Sequence, residues 1–420
     1  MVSKADVNML WEVANNKLKF LLQVELAYCE NLEVFPELQK FLFVFARTMR
    51  KYGYDVSGLN EFARASLQAR YFETVYTHVT KQVASLIADP AMIRPLVFRS
   101  ESHYGQVYKD YQLEGFVDGS QRSFSFGMLV PSVILTFKKT ASDLFENFSG
   151  SFAGAESELV GQLGNILNGI AKAFERVERQ ADRLVEYEVQ RYMNLYSLKK
   201  MLPQFEAYVR QLDAEVRVEF DERNIEEIIK NLEKRIYEAN RQRVREEFGR
   251  FIATCQYQGG KVTGPHAHVR RVLEELGEVF PKSSVVPGHM LELIYINQYS
   301  QVAEEMMNLL LTERCQHFDA AFVESMSRDL AYIREVAKKA PIGSLYEYFE
   351  EVSQIVKLLL QPDPLVFLNP EVRMTSYSKV LSDKKLVQIL KKYKESVKFG
   401  VFGRSKKRRA VIKELIARLS

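Results

Sequence analysis

The sequence predicts an all-α fold, arranged as an elongated rod of consecutive helical bundles. The chain has only 20 Gly and 12 Pro among 420 residues, together well under the roughly 12% of an average protein. Apolar residues recur at helical spacing in every long segment, whereas the alternation typical of strands is scarce. Gly and Pro gather at a few places, and these places are the candidate joints between bundles.

The N-terminal half of the chain follows this pattern in order. Residues 5–50 are typical of one or two amphipathic helices, interrupted near Pro36 and ended by a Gly-containing turn. A helix is predicted from a capping Ser57 to residue 89, because apolar residues recur there every three or four positions. Residues 90–126 hold three Gly and two Pro and predict a loop. Helix is predicted again over 128–200, with a break at NFSGSFAGAES (147–157).

The C-terminal half is also helical in pattern. Residues 204–248 lack Gly and Pro and are charged on one face and apolar on the other, as in a surface helix or helix pair. Beyond a Gly-rich segment at 257–268, helices are predicted at about 268–280, 288–312, 314–339, 343–361 and 379–396, and a last one from an N-cap at Ser405. We therefore expect three bundles, at residues 1–105, 106–256 and 257–420.

Composition places the chain among proteins that fold in a reducing compartment. It is 47% hydrophobic and 27% charged, which is typical of a globular protein. The three Cys are widely spaced and form no CxxC pair, and the N-terminus has no apolar signal region, so secretion is not expected. The longest apolar runs, at 41–46 and 128–137, are far shorter than the roughly 20 residues of a membrane span. A soluble or peripheral protein is predicted.

Motifs that would carry catalysis or bind a cofactor are missing from the sequence. The segment GGKVTG (259–264) lacks the first Gly of a phosphate-binding loop, and no nucleophile elbow or HExxH pair occurs. Cys255, His266 and His268 match no zinc spacing, and the His-x-His pair is expected to be a solvated turn. The sequence therefore predicts neither an enzyme nor a protein with a metal ion or cofactor.

The C-terminal tail is strongly basic. Residues 391–420 hold eleven Lys or Arg against Glu395 and Glu414, although the whole chain carries only +4. Either this is the solvated end of a packing helix, or it contacts an anionic partner such as a phospholipid headgroup or an acidic protein. Nucleic-acid surfaces usually interleave cations with aromatic residues, so no nucleic-acid partner is expected. The residues that would meet an anionic surface are Arg404, Lys406, Lys407, Arg408 and Arg409.

Several short stretches resemble, in order, the C-terminal half of one known family. They are YGYDV (52–56), RYFETVY (70–76), RPLVFRSESHY (94–104), FSFGMLVP (124–131), the YSKV and ILKKYKE pieces of 377–395, and VFGRSKKRRAVIKELIARL (401–419). This pattern is similar to that of the Sec-fifteen subunit of the exocyst, also called the exocyst complex component six family. The resemblance covers roughly residues 50–420, and in this family a Phe-x-Phe followed by Val-Pro opens a long helix.

The resemblance implies a non-enzymatic component of a tethering complex. Such a subunit would be a cytoplasmic rod of helical bundles, recruited to secretory vesicles and the plasma membrane in exocytosis, with other exocyst subunits as partners. Because the family carries a further N-terminal half with a coiled-coil segment, the chain is expected to be a fragment or a shortened relative. The alternative function is another helical scaffold or a nucleic-acid adaptor that uses the basic tail.

The resemblance also implies binding of a GTP-loaded Rab GTPase by a helix in the last bundle. The matching stretch here is MSRDLAYIREVA (326–337), where Asp329, Val336 and Ala337 match the family and Met326 and Ser327 depart from it. We expect Ser327, Asp329 and Ile333 to be exposed, although the same helix also has the spacing of an ordinary core stripe. The full set of expected contact residues is Met326, Ser327, Asp329, Leu330, Ile333 and Val336.

Overall fold

The structure is a computed structural model of the chain. It describes residues 4–98, 100–119, 124, 126–148, 155–176, 185–214, 216–254, 264–279, 288–380, 382–394 and 402–420.

The described residues are almost entirely helical. The N-terminal helices are α1 (Lys4–Tyr28), α2 (Val34–Lys51), α3 (Ser57–Phe62), α4 (Gln68–Ala88), α5 (Pro90–Ile93), α6 (Glu101–Asp110), α7 (Leu129–Phe148), α8 (Ala155–Arg176), α9 (Val185–Lys200) and α10 (Leu202–Leu212). They are followed by α11 (Arg223–Thr254), α12 (Ala267–Val279), α13 (Gly288–Leu311), α14 (Ala320–Lys339), α15 (Glu350–Leu360), α16 (Pro370–Ser376), α17 (Asp383–Lys392) and α18 (Phe402–Leu419). Extended pairing within the described ranges is limited to two isolated bridges. The predicted all-α class is confirmed.

The chain divides into two compact units. The first comprises Met1–Arg183 and Gln190–Leu232, and the second comprises Leu184–Val189 and Glu233–Ser420. The expected joint at 105/106 lies inside α6, and the joint at 256/257 lies outside the described residues. The division into three bundles stays a prediction.

In the first unit, α4 packs against α7 and α8 around a continuous apolar core. Val75, Val79, Val83 and Ile87 form the buried stripe of α4, at the helical spacing that the sequence predicts. Helices α4 and α8 approach closely at Gly169, where an added Cβ would lie 2.7 Å from Cγ2 of Thr80. A side chain at this position would therefore have to displace the side chains of Tyr76 and Thr80.

The start of α7 is fixed by a buried polar joint. The amide of Gly127 donates to Oδ1 of Asn194 at 2.6 Å, and Nδ2 of Asn194 donates to the carbonyl of Ile93 at 3.1 Å. A Cβ on Gly127 would lie 2.4 Å from the carbonyl oxygens of both Met92 and Arg94, so only Gly fits there. The long helix that the Phe-x-Phe and Val-Pro motif predicted begins immediately afterwards, at Leu129.

The second unit is organised around α13. Most of its side chains are buried, including the polar Asn297, Gln298 and Gln301, whereas Glu292, Ile296 and Glu304 along one side are exposed. Helices α14 and α15 pack against each other as a hairpin through the short 3-10 helix Leu345–Phe349. This hairpin carries the helix that was expected to bind a partner.

Three local expectations differ from the structure. The segment predicted as a loop at 90–126 contains α5 and α6, which are capped by side chains of Asp89 and Ser100. Ser57 is the first residue of α3 rather than its cap, and its amide donates to Asp55. Helix α18 begins at Phe402, so the expected N-cap at Ser405 is wrong and residues 406–409 lie beyond the first turn.

Candidate functional site

Helix α14 is held in the second unit by one apolar face. Asp319 caps it by accepting a hydrogen bond from the amide of Phe322 at 3.0 Å, which stops the helix from extending towards residue 314 as predicted. Met326, Leu330 and Ile333 are buried in the core of the unit. The core stripe that the spacing allowed is therefore present, and Met326 and Ile333 are not available to a partner in this arrangement.

Asp329 is also buried, with 1% of its surface exposed. Its Oδ1 accepts a hydrogen bond from the amide of His266 at 2.7 Å, and its Oδ2 lies 2.7 Å from Nδ1 of the same residue. An ionised carboxylate only accepts, so Nδ1 carries the proton in this pair. Since α12 begins at Ala267, Asp329 ties the start of α12 to α14. The expectation that Asp329 and Ile333 are exposed is wrong, because tertiary contacts bury this whole side of the helix.

The His-x-His pair is a packed element, and the expectation of a solvated turn is wrong. The ring of His268 stacks on Phe251, with centroids 3.8 Å apart, and meets the edge of Phe248. Burial, with a smaller effect of His266, lowers the pKa of His268 to about 3, so the imidazole is neutral at physiological pH. Cys255 lies outside the described residues. Within the described part of the chain, no group of three or more potential ligand side chains could hold a metal ion.

The six expected contact residues do not form one surface. Ser327 and Val336 are half-buried and the other four are buried. Ser327 and Val336 are nine residues apart, which is two and a half helical turns, so they point to opposite sides of α14. Ser327 therefore lies on one side of α14. Val336 lies on the other, near Tyr332, whose hydroxyl hydrogen-bonds Glu274 of α12.

An open groove runs along the Ser327 side of α14. Its volume is about 450 Å³, and we call it the α14 groove. It is lined by Ser327, Leu330, Ala331 and Arg334 from α14, Tyr346 from the 3-10 helix, Ser353, Val356, Lys357 and Leu360 from α15, and Gln361 directly after α15. Ser327 and Leu330 are the two expected contact residues that line this groove.

Two cations of the α14 groove rest on aromatic rings. The guanidinium of Arg334 lies 4.4 Å from the ring centroid of Tyr346, and the ammonium of Lys357 lies 5.8 Å from that of Tyr377. Both side chains are exposed, and neither makes an ion pair with a carboxylate of the described residues. Such a surface suits a partner that brings carboxylates or other acceptors. These cations carry no signal in the sequence, because the groove forms only when α14, the 3-10 helix and α15 fold back on one another as a hairpin.

Helix α18 packs on the second unit through its apolar side, where Ile412 and Leu415 are buried. Arg408 donates to the carbonyl of Leu359, one of the unpaired carbonyls at the end of α15, and stacks over Tyr393 at 5.7 Å. Arg408 is thus a packing residue, which corrects its assignment to an anionic surface. Arg409 is exposed, and the side chains of Arg404, Lys406 and Lys407 lie outside the described residues. No helix of the described ranges is long and apolar enough to cross a membrane.

Comparisons with known proteins place this fold in a family. The family model "Exocyst complex subunit Sec15 C-terminal" matches residues 59–392. Exocyst complex component SEC15A of Arabidopsis thaliana is 22% identical, over 95% of this chain and 53% of its own length. Exocyst complex component 6 of Dictyostelium discoideum is 20% identical, over 94% of this chain and 45% of its own length.

A solved structure, that of Myo2-GTD in complex with Smy1, overlaps 82% of this chain and 85% of its own, at 11% identity and a TM-score of 0.47. The chain spans about half the length of the relatives that it matches. Because the family model covers residues 59–392 of the 420, the chain belongs to the family of exocyst complex subunit Sec15 C-terminal regions.

Proposed function

We propose that the chain serves, without catalysing a reaction, as part of a subunit of the exocyst tethering complex. The observation that carries this proposal is the family match over residues 59–392, together with relatives that are named as exocyst components. A tether needs surfaces that bind other proteins rather than reacting groups. The described helices pack around apolar cores and expose a charged groove, and these features suit that role.

Affinity purification of the tagged full-length chain tests the assignment. Other exocyst subunits should be recovered at comparable amounts after a high-salt wash, because stable assemblies of helical subunits bury large apolar interfaces. Recovery of RNA or chromatin in their place would support the alternative of a nucleic-acid adaptor. Recovery of the intact chain alone would remove the basis of the proposal.

We further propose that the chain is the effector of a vesicle-bound Rab GTPase and binds it through the α14 groove. In this proposal the buried Asp329 and Ile333 anchor α14 in the second unit. Ser327, Arg334 and Lys357 contact the partner. Arg is common at the anchoring positions of interfaces, and exposed cations beside an apolar groove give both orientation and rate of association. We expect this binding to be modest and to require the GTP-bound form of the Rab.

Charge reversal on the groove tests the Rab proposal. Arg334→Glu combined with Lys357→Glu should abolish capture of a GTP-locked Rab while the melting temperature stays close to that of the unchanged chain. Lys384→Glu, an exposed charge reversal on α17, is the matched control and should bind normally. Capture that persists in the double variant, or that is equal for GTP and GDP forms, would contradict the assignment.

For the tail, we propose weak contact with anionic phospholipid through Arg404, Lys406, Lys407 and Arg409. Each cation near an anionic bilayer contributes about 1 kcal/mol before screening, so four give weak binding that becomes useful only in a multivalent complex. Flotation with phosphatidylserine vesicles should show binding at low salt that disappears when these four become Ala. Arg408 is left unchanged because it packs against α15. Binding that survives the change would leave the tail as a solvated end.

A further inference from the structure

Helix α1 is attached to the first unit at both ends but buries little of itself. Near its start, Nε1 of Trp11 donates to the carbonyl of Asp55 at 2.6 Å. At its end, Arg70 donates to the carbonyls of Leu26 and Ala27 at 3.0 and 2.8 Å, which satisfies two of the unpaired groups of the last turn. These contacts fix which side of α1 faces outwards.

The outward side of α1 is apolar along most of its length. Leu10, Val13, Phe20 and Val24 are exposed by 64%, 62%, 63% and 44%, although apolar side chains of this size are usually buried. Met9, Leu21 and Tyr28 flank them and are exposed as well. Monomeric proteins rarely leave a continuous apolar patch of this kind uncovered, so the surface marks an interaction site.

The spacing of this patch is that of a coiled-coil seam. Leu10, Val13, Lys17, Phe20 and Val24 follow one another at intervals of three, four, three and four residues, and we call them the α1 seam. A side chain at these positions inserts between four residues of a facing helix. The expected occupant is therefore another helix that runs along α1.

Lys17 of the α1 seam indicates which residue type the docking helix must carry. It is exposed and makes no ion pair with a carboxylate of the described residues. A single Lys within an apolar seam fixes register and partner choice at a cost in stability, and an acid on the facing helix offsets this cost. The occupant needs Asp or Glu at the position that meets Lys17.

Charges beside the seam favour a different protein over a second copy or a membrane. Helix α2 lies next to α1, with the rings of Phe45 and Trp11 6.1 Å apart. It carries four exposed cations, Lys40, Arg47, Arg50 and Lys51, against the single acid Glu37. A second copy would bring further cations to this side, whereas Glu12 and Glu25 on α1 are exposed and would disfavour an anionic membrane.

We propose that the α1 seam docks an acidic amphipathic helix of another protein, with an acidic residue opposite Lys17. The seam lies outside the family match at residues 59–392 and is separate from the α14 groove, so the proposal stands independently of the proposed function.

Two synthetic three-heptad peptides test this proposal by fluorescence anisotropy on the full chain. Both peptides carry Leu at the heptad positions that face the α1 seam. The acidic peptide has Glu at the position opposite Lys17 and at the flanking positions, and the basic peptide has Lys at the same positions. We expect the acidic peptide to bind at least about tenfold more tightly than the basic one. Lys17→Glu should narrow or invert this preference.

Val13→Glu combined with Phe20→Glu should abolish binding, and because both residues are exposed the variant should melt like the unchanged chain. Met374→Glu, at a residue that is 77% exposed in the second unit, is the matched control and should bind normally. Equal affinity for both peptides, or no binding, would overturn the proposal. Two other results would also overturn it. A concentration-dependent dimer in sedimentation that is absent in the double variant would indicate that a second copy occupies the seam. Flotation of the chain with phosphatidylserine vesicles that is absent in the double variant would indicate that the seam binds lipid.

Discussion

The sharpest prediction concerns Asp329, which the sequence suggested as a partner contact and the structure buries. Asp329→Ala removes the acceptor of two 2.7 Å contacts from His266, one from its amide and one from its ring. A hydrogen bond to a charged group contributes about 1.5–3 kcal/mol, and breaking one partner of a buried pair costs about 3–5 kcal/mol. We therefore expect a loss of about 3 kcal/mol in the free energy of unfolding.

This loss should be visible as a shift of the melting temperature. For a domain of the size of the second unit, 1 kcal/mol moves the midpoint by about 2–4 °C, so the expected fall is about 6–12 °C. Scanning calorimetry and urea unfolding followed by circular dichroism both measure it. Glu335→Ala is the matched control on the same helix, since Glu335 pairs only with Lys338 at the exposed surface and should change stability by less than about 0.5 kcal/mol.

Equal melting temperatures for Asp329→Ala and Glu335→Ala would contradict this prediction. In that case the contact with His266 contributes nothing, and Asp329 would again be a candidate for direct contact with a Rab. If the midpoint falls as predicted, any loss of Rab capture in this variant must be attributed to unfolding of α12 from α14. The groove variants at Arg334 and Lys357 are free of this ambiguity.

Three further predictions address other parts of the structure. Gly127→Ala should cost at least about 2 kcal/mol, because its Cβ would meet backbone carbonyls of residues 92–94, and unfolding in urea measures the loss. Since the pKa of His268 falls to about 3 from an ordinary 6.5, the unfolded chain binds a proton that the folded chain does not between these values. Stability should therefore fall by up to about 1.4 kcal/mol per pH unit below about pH 6.5, and His268→Phe should flatten this slope between pH 7 and 5; an unchanged slope would contradict the burial. Arg408→Ala should lower the free energy of unfolding by about 1–2 kcal/mol, and with it the melting temperature, through the lost contact with Leu359, whereas the exposed Arg409→Ala should not; equal melting of the two would show that α18 does not depend on this contact.

Helix positions followed from the sequence where local signals coincide with apolar periodicity. The end of α13 differs from the prediction by one residue, and that of α14 not at all, because Pro341 and the polar turn near residue 312 stop helices by local chemistry. The start of α14 was placed too early, since the pattern continues through Phe318. In the structure the backbone of Phe318 pairs with that of Tyr393, 75 positions along the chain. Such pairing leaves no local signal.

Burial of polar residues could not be predicted for the same reason. Periodicity places Met326 and Ile333 on a core stripe, as observed, but says nothing of the carboxylate between them. Asp329 is buried because His266 supplies its donors from 63 residues away. Conversely, the apolar side of α1 has the spacing of a core stripe and is exposed, because periodicity identifies an apolar side without identifying what covers it.

Purification of the tagged chain at its natural abundance, with quantification of the proteins that accompany it, decides whether this chain acts within the exocyst. We expect other exocyst subunits to be recovered in near-equal molar amounts and to sediment with the chain as one large particle. We also expect the groove variant Arg334→Glu with Lys357→Glu to remain in this particle. An intact, folded chain that sediments alone, with no exocyst subunit above the level of an untagged control, would contradict the claim.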